Sequence, residues 1–324
     1  MTTFRIASAM ALVAALAAPS SASAQPGASA RDRLVVSPAW LAQHLNDRDL
    51  VVLQVGRKET YDAGHIPGAR FVNYDGGALA ASRDASSGDP NPLRLEMPAA
   101  EALRSELASL GISDTSKIVV VPADEYWAQS TRVLFTLEYA GLKNLSWLDG
   151  GLKGWTDAGH TLSTAAPAAV QGTLRSLTIT PVVVDAAFVK AHIRTPGFAI
   201  VDARTRNFYD GLPPQRASSG PPAKLGHIPG ALSAPYNEFV TTGGGLTTLK
   251  PAEEIAALLT TAGVKPGDTI IGYCHIGQQA TGMLFAARTA GYKVLLYDGS
   301  FTEWERLPAA DAPVETAPSP ARKP

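Results

Sequence analysis

With 324 residues, 45% hydrophobic and 18% charged, the chain is long enough for two domains that each bury a core. Its 28 basic and 29 acidic residues leave a net charge of −1, so nothing in the balance suggests a nucleic-acid or polybasic membrane surface, and a small ligand is the better expectation. One cysteine, Cys274, excludes an intramolecular disulfide.

Residues 1–24 start with Arg5, continue through an Ala-rich apolar run from Ile6 to Ala18, and end in Ala22-Ser23-Ala24 before Gln25. A basic start, a short apolar run and small residues at its end make a cleaved secretory signal; as an uncleaved anchor the run is too short to span a bilayer comfortably. The expectation is export to the periplasm or the medium, with no membrane contact after cleavage. Further along, short β-branched or apolar runs over 50–53, 118–121, 198–201, 269–273 and 293–297 predict buried parallel strands. Ala/Leu/Glu-rich segments over 98–110 and 251–262 predict helices that stop at Gly111 and Gly263. The polar, Gly- and Pro-containing stretch 75–92 predicts a loop, 161–178 a linker, and the Pro/Ala-rich end 308–324 a disordered tail.

The chain repeats itself. Gly64-His65-Ile66-Pro67-Gly68-Ala69 returns as Gly226-His227-Ile228-Pro229-Gly230-Ala231, followed in each copy by a tyrosine, Tyr74 or Tyr236. Leu134-Phe135 before Ala140-Gly141 returns as Leu284-Phe285 before Ala290-Gly291, and Asp149-Gly150 with Trp155 as Asp298-Gly299 with Trp304. The landmarks lie further apart in the first copy, which places its extra residues in the 75–92 loop. Each copy therefore reads as an α/β unit with a small parallel sheet flanked by helices. Counted back from the Ala-Gly pairs, the first-copy position that matches Cys274 is Asp124.

Cys274 follows the strand 269–273 and precedes a helix that runs to Ala290, with Gly277 between them. A free cysteine is commonly a small core residue. At the carboxyl edge of a parallel sheet, however, backbone N–H groups and a helix N-terminus face the turn, a setting that lowers a thiol pKa and favours a nucleophile. The histidines show no metal-ligand spacing.

The paired GHIPGA segments, the loop after the central strand and the ending from Tyr297-Asp298-Gly299-Ser300 to Glu303-Trp304 resemble tandem rhodanese-type sulfurtransferases. The resemblance implies two rhodanese-like domains, 33–160 without a nucleophile and 179–307 catalytic. It also implies a persulfide on Cys274 cradled by the amides of His275, Ile276, Gly277, Gln278, Gln279 and Ala280. A small anionic sulfur donor and a thiol or cyanide acceptor follow, with neither metal nor cofactor. Asp202 and Arg204 resemble the family's Asp-x-Arg pair and are expected to support the site as a buried ion pair. Arg216 stands near a substrate-binding arginine of relatives, with a surface role equally open; Phe208 stands where many relatives have arginine, and Arg206 is the nearest substitute. The loop after Cys274 matches neither the basic pattern of thiosulfate users nor the small-residue pattern of 3-mercaptopyruvate users. His65 and His227 occur in both copies, which favours a structural role for them. Phosphatases of the same fold need arginine where this chain has Ala280, so phosphate chemistry is set aside. A non-enzymatic sulfur-delivery or redox-sensing module remains as the alternative.

Overall fold

The computed structural model describes residues 29–73, 79, 92–212 and 224–316. The expected signal segment 1–24, Tyr74, most of the 75–92 stretch and Arg216 lie outside them.

Among the described residues there are two five-stranded parallel sheets. In the first, the order is Val35–Val36, Leu145–Leu148, Lys117–Pro122, Leu50–Gly56 and Arg70–Asn73. The second repeats it as Val183–Val184, Lys293–Tyr297, Thr269–Tyr273, Phe198–Asp202 and Leu232–Ser233. Sheets buried on both faces require strands apolar at successive positions, and the central strands are buried almost throughout. The helix Ala252–Ala262 ends at Gly263, whose φ of 108° lets its N–H close the last turn.

The domains meet through two helices, Ala128–Tyr139 and Gln278–Thr289. Both are buried on nearly every side, polar residues such as Thr131, Arg132 and Thr281 included, and Phe135, Trp147, Met283 and Phe285 share one core. Thr131 Oγ1 lies 3.1 Å from its counterpart Thr281 Oγ1, which marks an approximate two-fold axis between the copies. Two aspartates reinforce this symmetry. Asp149 of the first domain accepts Leu249 N–H at 2.9 Å from the second, and Asp298 of the second accepts Met97 N–H at 2.6 Å from the first.

The repeated turns are fixed in the same way. His65 stacks on Tyr61 and its Nδ1 meets Tyr61 O at 3.1 Å; His227 stacks on Tyr209 and its Nδ1 meets Tyr209 O at 2.7 Å. Each turn also takes a bridging partner from downstream chain, Ser163 for His65 and Glu315 for His227. This corrects the expected disorder from 308 onward, since the described residues 308–316 are packed on the second domain. Ala312 is fully buried, Trp304 Nε1 donates to Pro313 O at 2.9 Å, and Lys224 Nζ donates to Leu307 O and Ala312 O. A Pro/Ala-rich stretch has no period of its own, yet here it bridges the second turn as the linker bridges the first.

Candidate active site

Strand Thr269–Tyr273 ends in the middle of its sheet, and its next residue is Cys274, fully buried. Gly277, at φ 77°, turns the chain into helix Gln278–Thr289. That left-handed residue lets the loop curl back, so the backbone N–H groups of Ala280, Ile276 and Gln279 all hydrogen-bond the Cys274 sulfur. The cysteine backbone is pinned as well. Its N–H donates to Ser300 Oγ at 3.3 Å and its carbonyl accepts Phe301 N–H at 3.0 Å.

Expected lowering of the thiol pKa is corrected by this geometry. Burial is the largest influence and pushes the Cys274 thiol up; the three amides pull it down, and Asp202 adds a smaller upward push. In the resting protein burial wins, because the sulfur is sealed from water on every side.

Beneath the loop, Asp202 and Arg204 form a buried pair, with Arg204 Nη2 2.7 Å from Asp202 Oδ2 and Nε 3.0 Å from Oδ1. The same guanidinium donates to Gly226 O at 2.6 Å and lies 4.0 Å from the centre of the Phe301 ring. Burial opposes its charge, but Asp202 outweighs that and raises its pKa. Tyr273 completes the network. Its hydroxyl donates to Asp202 Oδ2 at 2.8 Å and accepts Ile228 N–H at 3.1 Å, and burial followed by Asp202 holds the phenol protonated. The Asp202 carboxylate, the Tyr273 hydroxyl and the Nε and Nη2 groups of Arg204 are all engaged in this network, which forms a buried floor beneath the loop.

The remaining predicted residues divide. Ile276, Gln279 and Ala280 converge on the sulfur. His275 lies edge-on to Phe208 at 4.5 Å, and burial, then Arg204, lowers its pKa to about 4, so it is a neutral ring at pH 7. The Gln278 side chain accepts from Tyr126 OH of the first domain at 3.2 Å, while Gln279 hydrogen-bonds Tyr236. Arg206 points outward and pairs with Asp210 at 3.4 Å. Sequence reasoning missed Tyr273, Ser300 and Tyr236 as parts of the site. Only Ser300 carried a signal, by its place at the end of the Tyr297-Asp298-Gly299-Ser300 segment, where it adopts φ 53°.

In the first domain the match to Cys274 depends on which frame is followed. The interdomain helices pair it with Asp124. The strands do not: Ile118 faces Leu145 as Ile270 faces Val294, which carries Pro122 onto Cys274 and leaves a longer loop before the helix. Asp124 instead accepts Arg57 N–H at 3.0 Å and borders an open cavity of about 730 Å³ with Arg57, Thr60, Tyr126 and Lys153.

A family model for the rhodanese-like domain matches residues 37–158 and 185–307. The sulfur carrier protein TtuD of Thermus thermophilus is 30% identical, over 86% of this chain and 95% of its own length. The thiosulfate sulfurtransferase of Rattus norvegicus is also 30% identical, over 88% of this chain and 94% of its own. Among solved structures, the 3-mercaptopyruvate sulfurtransferase of Escherichia coli superposes with a TM-score of 0.68 at 27% identity, over 82% of this chain and 98% of the other. The chain belongs to the rhodanese-like family. Within it, the tandem arrangement is that of a two-domain sulfurtransferase.

Proposed function

We propose that this protein moves sulfane sulfur from thiosulfate to a thiophilic acceptor, cyanide or a thiol, through a persulfide on Cys274. The observation that carries the reading is the convergence of three backbone amides on one buried sulfur at a strand end. Amides so placed stabilise anionic sulfur by donating hydrogen bonds without giving up their protons. The Cys274 thiolate attacks the outer sulfur of the donor, a new S–S bond forms as the donor's S–S bond breaks, and sulfite leaves with the electron pair. Cyanide then takes the outer sulfur as thiocyanate and the thiolate returns. Thiocyanate formation from thiosulfate and cyanide, with sulfite release, tests this; a Cys274→Ser variant that keeps full turnover would sink it.

3-Mercaptopyruvate is the second donor to run beside thiosulfate. The neutral His275 edge-on to Phe208 favours it, because an uncharged ring in the persulfide loop offers a thiosulfate dianion no charge to pair with. Delivery of sulfur to a protein acceptor is supported by the likeness to a sulfur carrier protein, and persulfide that forms but resists cyanide would favour it.

Export is also part of the proposal, supported by the pattern of residues 1–24; no helix among the described residues is long and apolar enough to cross a membrane. A mature N-terminus at Gln25 after expression in a bacterial host with a periplasm is the expected result.

A further inference from the structure

Across the axis at Thr131 and Thr281, the two interdomain helices have equal length and start at equivalent points, so Trp127 matches Gly277 and Arg132 matches Gly282. In both pairs the bulky residue belongs to the first domain. The bulk sits on the glycines. A Cβ built on Gly282 would come 3.0 Å from the Trp127 ring, and one built on Gly277 would come 2.9 Å from Arg132 Nη1.

Gly277 is the residue that turns the persulfide loop. Arg132, 1% exposed, is fixed there by two acceptors: Nη1 donates to Asp298 Oδ1 at 2.7 Å and Nη2 donates to Leu95 O. Its Nε–H is buried and makes no hydrogen bond among the described residues, so the position is not one that simply satisfies the guanidinium. The carbonyl of Asp298 lies 3.1 Å from the same Cβ position. Gly277 is thus gripped between its own domain and the other. A planar guanidinium held by two acceptors cannot swing aside, as a flexible ammonium could.

We propose that Arg132, carried by the domain without a thiol, is a positioning residue for the persulfide loop: it holds Gly277 in the conformation from which the amides of Ile276, Gln279 and Ala280 reach Cys274. The inference rests on the reading of Cys274 as the sulfur-bearing residue. Loss of the grip leaves the nucleophile in place but blurs the amide convergence that counts in the transition state. The first domain then serves the reaction as well as the fold.

The test uses the full chain with Arg132→Met, Arg132→Lys, and Arg132→Met combined with Asp298→Asn, which neutralises the otherwise unpaired buried carboxylate while keeping an acceptor for Met97 N–H. Addition of one sulfur to Cys274 from thiosulfate or 3-mercaptopyruvate is followed by intact mass, alongside the melting temperature. The expected result is a loading rate at saturating donor at least about tenfold lower in Arg132→Met and in the double variant, with half-saturation little changed and Arg132→Lys between them and wild type. The double variant recovers melting temperature without recovering rate, which a purely structural role would not produce. Wild-type loading in the folded double variant, or in Arg132→Lys should the others not fold, overturns the proposal. If the wild-type protein takes up no sulfur from either donor, the reading of Cys274 fails by itself; the alkylation rate of Cys274 by iodoacetamide then decides Arg132, and an unchanged rate across the variants refutes it.

Discussion

Under the repeated turn, the first domain places a single neutral side chain, Gln54, whose Oε1 accepts Ile66 N–H at 3.3 Å. The second domain meets the same requirement with Tyr273 OH on Ile228 N–H, and joins to it the buried charges of Asp202 and Arg204. One backbone donor needs one acceptor, so Gln54 suffices for folding. The extra polar groups of the second domain raise the stakes of burial and rigidify the floor beneath Cys274. A duplicated fold separates what its architecture requires from what its chemistry adds.

The sharpest way to break this comparison is to move the thiol. Cys274→Ser should lower sulfur transfer at least about a thousandfold, read as thiocyanate formed. Adding Asp124→Cys to that variant should restore nothing, because the strand register sets Pro122 at the sulfur position; a persulfide mass on the introduced cysteine would show that the helix frame governs instead.

Removing charge from the floor gives the next largest effect. Arg204→Met strands buried Asp202 and should cost roughly 3–5 kcal/mol in urea unfolding, while Gln54→Met should cost about 1–3 kcal/mol. Equal costs would mean that the second-domain network is no more than a turn support.

Acid should then tell the domains apart. His275 is held neutral with a folded pKa of about 4, against about 6.5 when unfolded. Below pH 6.5 the unfolded chain binds a proton that the folded chain refuses, so this contribution is complete above pH 6.5 and is lost as pH falls toward 4. The expected loss is about 3 kcal/mol, and His275→Phe should remove that part of the acid slope. For Cys274 the raised pKa predicts a loading rate that climbs about tenfold per pH unit through neutrality, without a plateau in that range.

The smallest effect concerns the tail, which bridges His227 as the linker bridges His65. Truncation after Leu307 should remove about 1–2 kcal/mol from the second domain, since it takes away buried Ala312 and the acceptor for the Trp304 indole. An unchanged melting temperature would return the segment to the disorder that its composition suggests.

Much of this was legible in residue order. The GHIPGA repeat, the alternating strands and helices and the lone Cys274 at a strand end are local patterns, and local patterns record backbone conformation and layer architecture directly. Asp202 and Arg204 were legible only through the family resemblance of their Asp-x-Arg spacing, at and just after the end of the strand Phe198–Asp202. What lay beyond the sequence was everything set by long-range closure. Whether a thiol at a helix start is acidic depends on how completely the fold shuts out water, and here burial overrides three amides. Whether Pro122 or Asp124 faces the sulfur depends on strand register, which helix landmarks do not record. The grip of Arg132 on Gly277 joins residues far apart in the chain, and it exists only because two copies of one fold pack their central helices together around a two-fold axis.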